Sequence, residues 1–354
     1  MQKIIILTVS IANDGAGRVL SELSAEWVKR GCKVTIIQTG ADNYGVHYSL
    51  PDGIEIINIR PVTKVKLIRY IYDIKQIVSI LKKNPDAIVV AFIVASIFIS
   101  GIASLFVKNR IVVSERNNPR ECPSGKIQRK LRDWAFCRAN CCVFQTDDAK
   151  RMFPRRVQLK GVIIPNPING NLPIPYCEKR RKVIVAVGRL HPQKNFSMLL
   201  EAFSWFHRNH QEYSLEIYGQ GNERETLEQL AIRLEIDSFV VMPGYTNNVY
   251  EKMRDAAMYV SSSDYEGISN SMLEALGMGV PTIVTDCPVG GAKMIIRNNI
   301  NGILVPVGDT DALCSAMKKI ANDERFAKSL SEEAAKIRED YNLGVIADKW
   351  LEVI

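Results

Sequence analysis

Two basic residues stand in a loop that follows a predicted strand in the C-terminal half. Arg189 and Lys194 lie in the segment GRLHPQKN, residues 188–195, between an apolar strand and a helix. Such a loop directs backbone N–H groups and the positive end of the helix dipole towards the sheet edge, where anions bind. Two formal charges there would suit a diphosphate, although the spacing alone equally allows two solvated loop cations.

Two carboxylates follow at a spacing that could serve a sugar nucleotide. Glu266 lies in a loop after a predicted strand, and Glu274 lies eight residues later, inside a predicted helix. Eight residues make about 2.2 helical turns, which would place both acids on broadly the same side. One acid could then face a sugar and the other a ribose. A solvated helix face is the commoner origin of such a pair, but Gly267 permits close backbone approach and favours a binding site.

Apolar strands alternate with helices in two separate runs around these loops. The first run begins with a strand, a helix and a strand, predicted at 3–10, 19–29 and 33–38. Gly15 and Gly17 lie in the loop before this helix. Prolines within 163–175 mark a linker, and the alternation restarts at 182–187.

The length of 354 residues exceeds what one hydrophobic core usually supports, so the two runs predict two doubly wound α/β domains. In such sheets, ligands bind outside the carboxyl ends of the strands. The loops expected to line the site are 10–17, 188–195, 219–221 and 262–270.

The positive charge of the chain is concentrated in its first half. The net charge is +8, but residues 1–165 contain 26 Lys and Arg against 13 Asp and Glu, a net of +13. This excess suits a phosphorylated substrate, an anionic membrane or nucleic acid. Because aromatic and basic residues do not interleave as they do in base-stacking proteins, we expect no nucleic-acid partner.

Cysteine and histidine usage predicts neither a metal site nor a secreted protein. The eight cysteines form no C-x-x-C pair, and no histidine has a partner at ligand spacing; the four are His47, His191, His207 and His210. His191 is interpreted as a spacer in the basic loop rather than as a base. The N-terminus enters an apolar strand without a cleavage site, so a cytoplasmic protein with free thiols is predicted.

One uncharged segment, residues 87–107, has two interpretations. It is long enough to cross a bilayer as a helix. It also starts with a β-branched run, which is typical of a strand. A buried strand followed by a buried helix gives a continuous apolar stretch of the same kind. We favour the buried strand and helix and keep the membrane span as the alternative.

Four motifs of the C-terminal half resemble those of glycosyltransferase family 4, which has the GT-B fold. They are GRLHPQKN (188–195), Gly219-Gln220-Gly221, SSSDYEGISNSMLEALGMGVPTIVTD (261–286) and NGILVPVGD (301–309). The N-terminal half resembles the family more loosely, through NDGAGR (13–18), where many members have paired glycines and an acid before the Arg.

The resemblance implies two Rossmann-like doubly wound domains facing a cleft. Residues 1–165 would bind the acceptor and 166–340 the nucleotide sugar, and a C-terminal helix near 341–354 would pack back on the N-terminal domain. The implied reaction is the transfer of a sugar from a nucleotide-diphosphate donor with retention of configuration. No metal or other cofactor would be needed.

The resemblance also implies roles for individual residues. Arg189 and Lys194 would bind the diphosphate, Glu266 the transferred sugar near its reactive carbon, and Glu274 the ribose; the catalytic residues would be Glu266, Arg189 and Lys194. The other implied donor contacts are Gly15, Gly17, Gly219, Gly267, Ile268 and Ser269. Many members have a sugar-contacting His after the strand at 111, where this chain has Glu115, Arg116 and Asn117, so these three are candidates for acceptor or sugar contact.

The segment TDCPVGG, 285–291, resembles a subgroup that builds bacterial surface polysaccharides from UDP-sugars. It points to a UDP-hexose or UDP-N-acetylhexosamine donor and to a glycan or lipid-linked acceptor. Two alternatives stay open, a UDP-sugar epimerase of the same fold and a non-catalytic sugar-nucleotide-binding protein. A dinucleotide oxidoreductase is disfavoured because the first loop lacks G-x-G-x-x-G.

Two basic amphipathic segments predict peripheral contact with an anionic membrane, at the inner face of the cytoplasmic membrane. The first, 64–81, would turn Leu67, Ile68, Ile71, Ile74 and Ile77 to one side, and the second is 126–138. Basic residues near an anionic surface each contribute about 1 kcal/mol, so such docking would be released by salt. Alternatively, both segments are core-facing helices with a solvated basic back.

Overall fold

A computed structural model describes residues 1–11, 15–40, 50–59 and 65–354. Several predicted features lie outside the described residues: Asn13 and Asp14 of the first loop, His47, Lys64, and the side chain of Leu67. The chain divides into two compact units, one made of 1–167 with 342–354 and the other of 168–341. The sequence-based boundaries, 165 and 340, differ from these by two residues and one.

Among its described residues, the first unit contains a parallel sheet of seven strands in the order β3-β2-β1-β4-β5-β6-β7. Its central strands are rich in Ile and Val and buried on both faces, as parallel strands covered by helices are. The strands are β1 (Lys3–Thr8), β2 (Lys33–Gln38), β3 (Ile54–Asn58), β4 (Ile88–Ala91), β5 (Ile111–Glu115), β6 (Cys141–Phe144) and β7 (Gly161–Ile163). The helices are α1 (Gly15–Lys29), α2 (Lys66–Lys83), α3 (Val94–Ala103), α4 (Lys126–Arg138), α5 (Asp147–Arg151) and α6 (Arg155–Gln158).

The uncharged segment 87–107 forms strand β4 and helix α3, as the favoured interpretation predicted. Helix α3 has α2 and α4 as packing neighbours, which accounts for its apolar composition. Within the described part of the chain, no helix is both long and apolar enough to cross a membrane.

Helix α2 does not have the single apolar side that was predicted. Its buried positions include Asp73, Ile77 and Leu81, which recur every four residues, whereas Ile68 and Ile71 are about half exposed. The carboxylate of Asp73 takes a place on the buried side and pairs with Arg69 at 3.8 Å, and its pKa is raised by burial. The pattern of apolar residues missed this because a buried carboxylate looks polar in sequence.

The second unit contains a parallel sheet of six strands in the order β10-β9-β8-β11-β12-β13. The strands are β8 (Arg181–Val187), β9 (Ser214–Tyr218), β10 (Val240–Gly244), β11 (Ala256–Ser261), β12 (Thr282–Thr285) and β13 (Ile303–Val305). The helices are α7 (Phe196–His207), α8 (Arg224–Arg233), α9 (Val249–Met253), α10 (Asn270–Gly277), α11 (Gly291–Ile295), α12 (Thr310–Asn322), α13 (Glu324–Ala335) and α14 (Ile337–Tyr341).

The last helix, α15 (Leu343–Leu351), belongs to the first unit and packs on α1. Its Trp350 is fully buried, stacks on Phe92 with ring centroids 5.2 Å apart, and meets Trp27 edge-on at 6.0 Å. These large aromatic contacts anchor the C-terminal segment in the core of that unit.

Candidate functional site

The basic loop of the second unit runs from the end of β8 to the start of α7. Residues Pro192–Lys194 form a short 3-10 turn, and Asn195 follows in the left-handed conformation with φ 43°. The Asn195 side chain accepts a hydrogen bond from the Met198 N–H and donates one to Asp264 Oδ1 at 2.8 Å. Asn tolerates this conformation better than most residues and is a good helix N-cap. Asn195 therefore fixes where the loop ends and α7 begins.

Lys194 and Glu266 form an ion pair in this loop. The Lys194 ammonium donates to Glu266 Oε2 at 2.5 Å, and both side chains are largely buried. The same carboxylate oxygen accepts a hydrogen bond from the Ser263 hydroxyl at 3.0 Å. The Ser262 hydroxyl donates to the carbonyls of Lys194 and Asn195, at 2.9 and 2.8 Å. Two predicted catalytic residues are thus held together by the loop that follows β11.

Arg189 lies in the same loop but outside this network. Its side chain is exposed, and it forms no hydrogen bond or ion pair with any residue that the structure describes. Its guanidinium is therefore available to a ligand, and its phosphate contact stays a prediction.

The segment 288–291 fixes the backbone of Glu266 from the other side. The Glu266 N–H donates to the Pro288 carbonyl at 2.8 Å, and the Glu266 carbonyl accepts from the Val289 N–H at 3.1 Å. Gly291 is packed so closely that an added Cβ would lie 2.0 Å from the Gly267 carbonyl oxygen. The loop that carries Glu266 is consequently held on both flanks.

Gly219, at the end of β9, is required by backbone packing. Its φ is +149°, and a Cβ there would lie 1.8 Å from the Gly188 carbonyl oxygen. A larger residue would displace the start of the basic loop. Its predicted contact with the donor stays a prediction.

Glu274 lies in a different network from Glu266. The acid is buried in α10, and its Oε1 accepts a hydrogen bond from the Tyr250 hydroxyl at 3.1 Å; that hydroxyl accepts one from Asn169 at 2.8 Å. Because α10 begins at Asn270, Glu266 is not helical, and the argument from 2.2 helical turns was wrong.

The three residues predicted to offer backbone N–H groups lead directly into α10. Gly267 and Ile268 precede the helix, and Ser269 is its N-cap, with a side chain that accepts from the Met272 N–H at 3.4 Å. The positive end of the α10 dipole therefore lies next to the loop that holds Glu266.

The pKa of the Cys287 thiol is affected by the nearby charge of Glu266. Burial, and then the negative charge of Glu266, raise the pKa of the Cys287 thiol to about 12. The thiol therefore stays protonated at neutral pH and is not a candidate nucleophile.

Glu115 lies at the carboxyl end of β5 in the first unit and faces its own loop. Its Oε1 accepts the backbone N–H groups of Arg116 and Asn117, both at 3.1 Å, and Arg132 lies 3.9 Å from its Oε2. Burial raises the pKa of Glu115 to about 7, against the lowering effect of Arg132 and of these two N–H groups. The geometry favours a role in organising the loop, and the predicted sugar contact of these residues stays a prediction.

Arg116 is stacked on the aromatic pair of Phe92 and Trp350, with its guanidinium carbon 4.9 and 5.3 Å from their ring centroids. It donates to Asn166 Oδ1 at 2.8 Å. Burial lowers the pKa of Arg116 to about 9, and Glu115 opposes this effect. The residue links the loop after β5 to the C-terminal helix.

Gly15 and Gly17 lie in the first turn of α1, because the helix begins four residues before its predicted start at 19. They were expected in a loop. Both retain a position at the N-terminus of a helix, where backbone N–H groups can face an anion.

Two family models match the chain. The model described as Glycosyltransferase Family 4 matches residues 13–171, and the model described as Glycosyl transferases group 1 matches residues 176–337. Each corresponds to one of the two units, and together they span nearly the whole chain. The chain belongs to glycosyltransferase family 4.

Full-length relatives and a solved structure agree with this assignment. The glycosyltransferase is 26% identical over its full length, and over 98% of the relative, to a Campylobacter jejuni alpha-1,4-N-acetyl-D-galactosaminyltransferase whose name specifies a diNAcBac-PP-undecaprenol-linked substrate. It is also 26% identical over the full length of both chains to the amylovoran biosynthesis glycosyltransferase AmsD of Erwinia amylovora. The crystal structure of Anabaena HepE in complex with UDP has a TM-score of 0.83 at 14% identity, with 99% of each chain covered. That likeness shows the fold, and the predicted pair of Rossmann-like domains is confirmed.

Several residues that shape the site of this glycosyltransferase were not predicted from sequence. Asn195, Ser263 and Asp264 lie within or beside the quoted motifs, so their polar side chains were a usable signal. Tyr250 and Asn169 lie outside those motifs, and nothing in their sequence context indicates that they reach Glu274.

Within the described ranges, no group of three or more His, Cys, Asp or Glu side chains is arranged to hold a metal ion.

Proposed function

We propose that this glycosyltransferase moves a hexose or N-acetylhexosamine from a UDP-sugar to a glycan or lipid-linked oligosaccharide in surface polysaccharide synthesis. The observation that carries the proposal is the Lys194–Glu266 ion pair beside the N-terminus of α10. It combines a cation for a diphosphate with a carboxylate for a sugar. The substrates named for the Campylobacter relative, and the amylovoran pathway of the Erwinia relative, support the acceptor class.

The ion pair can remain intact while the diphosphate binds. An ammonium group has three N–H donors, and Glu266 uses one of them, so two remain for phosphate oxygens. Arg189 would add a second cation, and the first turn of α10 would add the field of its dipole. Negative charge that grows on the departing diphosphate is stabilised by these groups in place of a metal ion.

The two acids would then divide the donor between them. Glu266, held by Lys194 and Ser263, would face the sugar near the carbon whose bond to phosphate breaks. Glu274, held by Tyr250, would bind the ribose hydroxyls. The new bond to the acceptor oxygen would form with the configuration of the donor retained.

The experiment is a panel of nucleotide sugars, first in a thermal-shift assay and then in a transfer assay with a polyprenyl-diphosphate-linked oligosaccharide. A ligand that binds only the folded state raises the melting temperature, so the true donor should stabilise the protein. We expect stabilisation by one UDP-sugar, transfer that persists in excess EDTA, and a product whose anomeric configuration by NMR equals that of the donor.

Each part of the proposal has its own contradicting result. Inverted configuration would contradict retention, and loss of transfer in EDTA would reveal a metal requirement. UDP-sugar turnover without an acceptor would favour the epimerase, and binding without any turnover would favour a non-catalytic protein.

We also propose that the first unit contacts an anionic membrane at the cytoplasmic face, where a lipid-linked acceptor would be found. The net charge of +13 over residues 1–165 supports this placement.

A further inference from the structure

Helix α4 turns a line of large apolar side chains outward. Ile127 is 76% exposed, Leu131 is 52% exposed and Trp134 is 38% exposed. Their spacing of four and three residues places them on one side of the helix. The inner side is occupied by Arg132, Ala135 and Phe136, which are buried. The exposed residues therefore form a second apolar side that no part of the described chain covers.

The end of α3 extends this surface. Leu105 and Phe106 follow Ser104, the C-cap of the helix, and are 55% and 58% exposed. Helices α3 and α4 pack so closely that a Cβ on Gly101 would lie 2.7 Å from the Ala135 Cβ and 3.2 Å from the Trp134 ring. Arg138 ties the two helices further by donating to the Ser104 hydroxyl and carbonyl. We call the surface formed by Leu105, Phe106, Ile127, Leu131 and Trp134 the α3–α4 face.

Basic residues surround the α3–α4 face. Helix α4 contains five basic residues and one acid, Asp133, and that acid is paired with Arg132 at 2.9 Å. Lys126 and Lys130 are exposed on α4, and Lys108 is exposed just after Phe106. An apolar surface with a cationic rim is the arrangement of segments that lie in the interface of an anionic bilayer.

We propose that the α3–α4 face inserts its apolar side chains into an anionic lipid bilayer while the lysines around it contact the headgroups. Lysine suits this position because its aliphatic stem can cross apolar surface while the ammonium stays in water. The rim is cationic on α4 and beside Phe106, which matches an anionic lipid surface better than a protein surface of mixed charge. The purpose of this docking rests on the proposed lipid-linked acceptor, but its test does not.

The first test is co-sedimentation of the full chain with vesicles of phosphatidylcholine alone or with phosphatidylglycerol. Leu131→Glu and Phe106→Glu should each weaken binding to the anionic vesicles by about tenfold or more, since each replaces an inserting side chain by an acid. Both positions are exposed, so the fold should tolerate the change. The matched control is Ile232→Glu, which alters a side chain 61% exposed on α8 of the other unit and should bind as the unaltered protein does.

The second test uses tryptophan fluorescence, because the four tryptophans differ sharply in exposure. Trp27 and Trp350 are fully buried and Trp205 is partly buried, so Trp134 is the one placed to sense a lipid environment. Anionic vesicles should shift the emission to shorter wavelength, and Trp134→Phe should abolish the shift. An unchanged spectrum with bound vesicles would overturn the insertion.

Other results would overturn the proposal as directly. Binding that both Glu variants leave unchanged would place the contact elsewhere. Absence of vesicle binding, with a concentration-dependent dimer that Leu131→Glu abolishes, would assign the face to a second copy of the chain. Because UDP binding should be unaltered in all these variants, and vesicle binding needs no donor, failure of the docking and failure of the proposed transfer are distinguishable.

Discussion

Lys194 and Glu266 lie 72 residues apart in the chain, and their side chains meet at 2.5 Å. The contact joins the loop after β8 to the loop after β11, whose strands are neighbours in the sheet. Both groups are largely shielded from water, and each is the counter-ion of the other. Removing either partner leaves a charge that is poorly solvated and has lost its nearest counter-ion.

Arg189→Ala and Lys194→Ala should both lower kcat/KM by roughly 10²-fold or more, because a charge-assisted bond to phosphate is worth about 2 to 3 kcal/mol. Their effects on folding should differ. Lys194→Ala should also lower the melting temperature, whereas Arg189→Ala should not, since the Arg189 side chain is exposed and has no partner among the described residues. Steady-state kinetics and thermal unfolding of the two variants check this, and unaltered kinetics in either would remove that residue from the phosphate site.

Glu274→Gln should weaken UDP binding by about 10- to 100-fold, because the amide is a poorer acceptor for ribose hydroxyls than a carboxylate. The matched control is Tyr250→Phe, which removes the hydroxyl that donates to Glu274 at 3.1 Å but keeps the carboxylate. The control should bind UDP with an affinity close to that of the unaltered protein. Calorimetry that finds the two variants equal would reduce Glu274 to a structural residue.

Glu266→Gln should lower kcat with UDP affinity little changed, since only the reacting sugar is proposed to meet this carboxylate. The amide retains an oxygen that can accept from Lys194 and Ser263, so the loop should keep its conformation. Turnover and UDP affinity measured on one preparation separate the two roles. A large loss of UDP affinity would place Glu266 at the nucleotide instead.

Gly291→Ala should lower activity although Gly291 is not predicted to touch a substrate. The added methyl would lie 2.0 Å from the Gly267 carbonyl, so the loop that holds Glu266 must shift. Gly170→Ala is the control, because a Cβ there has no neighbour within 4 Å in the described structure. We expect a fall in kcat for the first variant and none for the second. Equal activities would show that the position of this loop does not limit catalysis.

The sequence predicts the fold well where its signals are local. The strand at 33–38 and the helix at 126–138 match the structure residue for residue. Strand β3 was missed; it lies at the edge of the sheet, where none of its five residues is fully buried. In α2, the buried side includes the carboxylate of Asp73, which the apolar pattern did not predict.

The site is predictable in its residue types and not in its contacts. The motifs single out Lys194, Glu266 and Glu274, but they do not indicate that Lys194 pairs with Glu266 while Glu274 pairs with Tyr250. Those pairings depend on which strands are neighbours and on tight glycine contacts such as Gly291 with Gly267. Glu115 is a second example. Its carboxylate accepts hydrogen bonds from its own loop, and the sequence does not distinguish this from a carboxylate that faces a ligand.

The stability of the protein should depend on pH through Glu115. The pKa of Glu115 is about 7 in the folded protein, whereas the ordinary value, which applies to the unfolded chain, is 4.5. Burial causes this increase. Below pH 4.5 the carboxyl group is protonated in both states and has no effect. As the pH rises from 4.5 to 7, the unfolded chain loses the proton while the folded chain keeps it, so folding is progressively disfavoured. Above pH 7 the decrease in the free energy of unfolding is complete and is on the order of 3 kcal/mol.

Glu115→Gln removes this titration and keeps an oxygen that can accept the N–H groups of Arg116 and Asn117. The free energy of unfolding, measured by urea denaturation from pH 4 to 8, should therefore fall less steeply in the variant between pH 4.5 and 7. The quantity to compare is the difference between the two proteins at each pH, because Asp73 and Glu22, whose pKa values burial also raises, titrate alike in both. A difference that does not vary with pH would mean that the Glu115 carboxyl ionises as freely in the folded protein as in the unfolded chain.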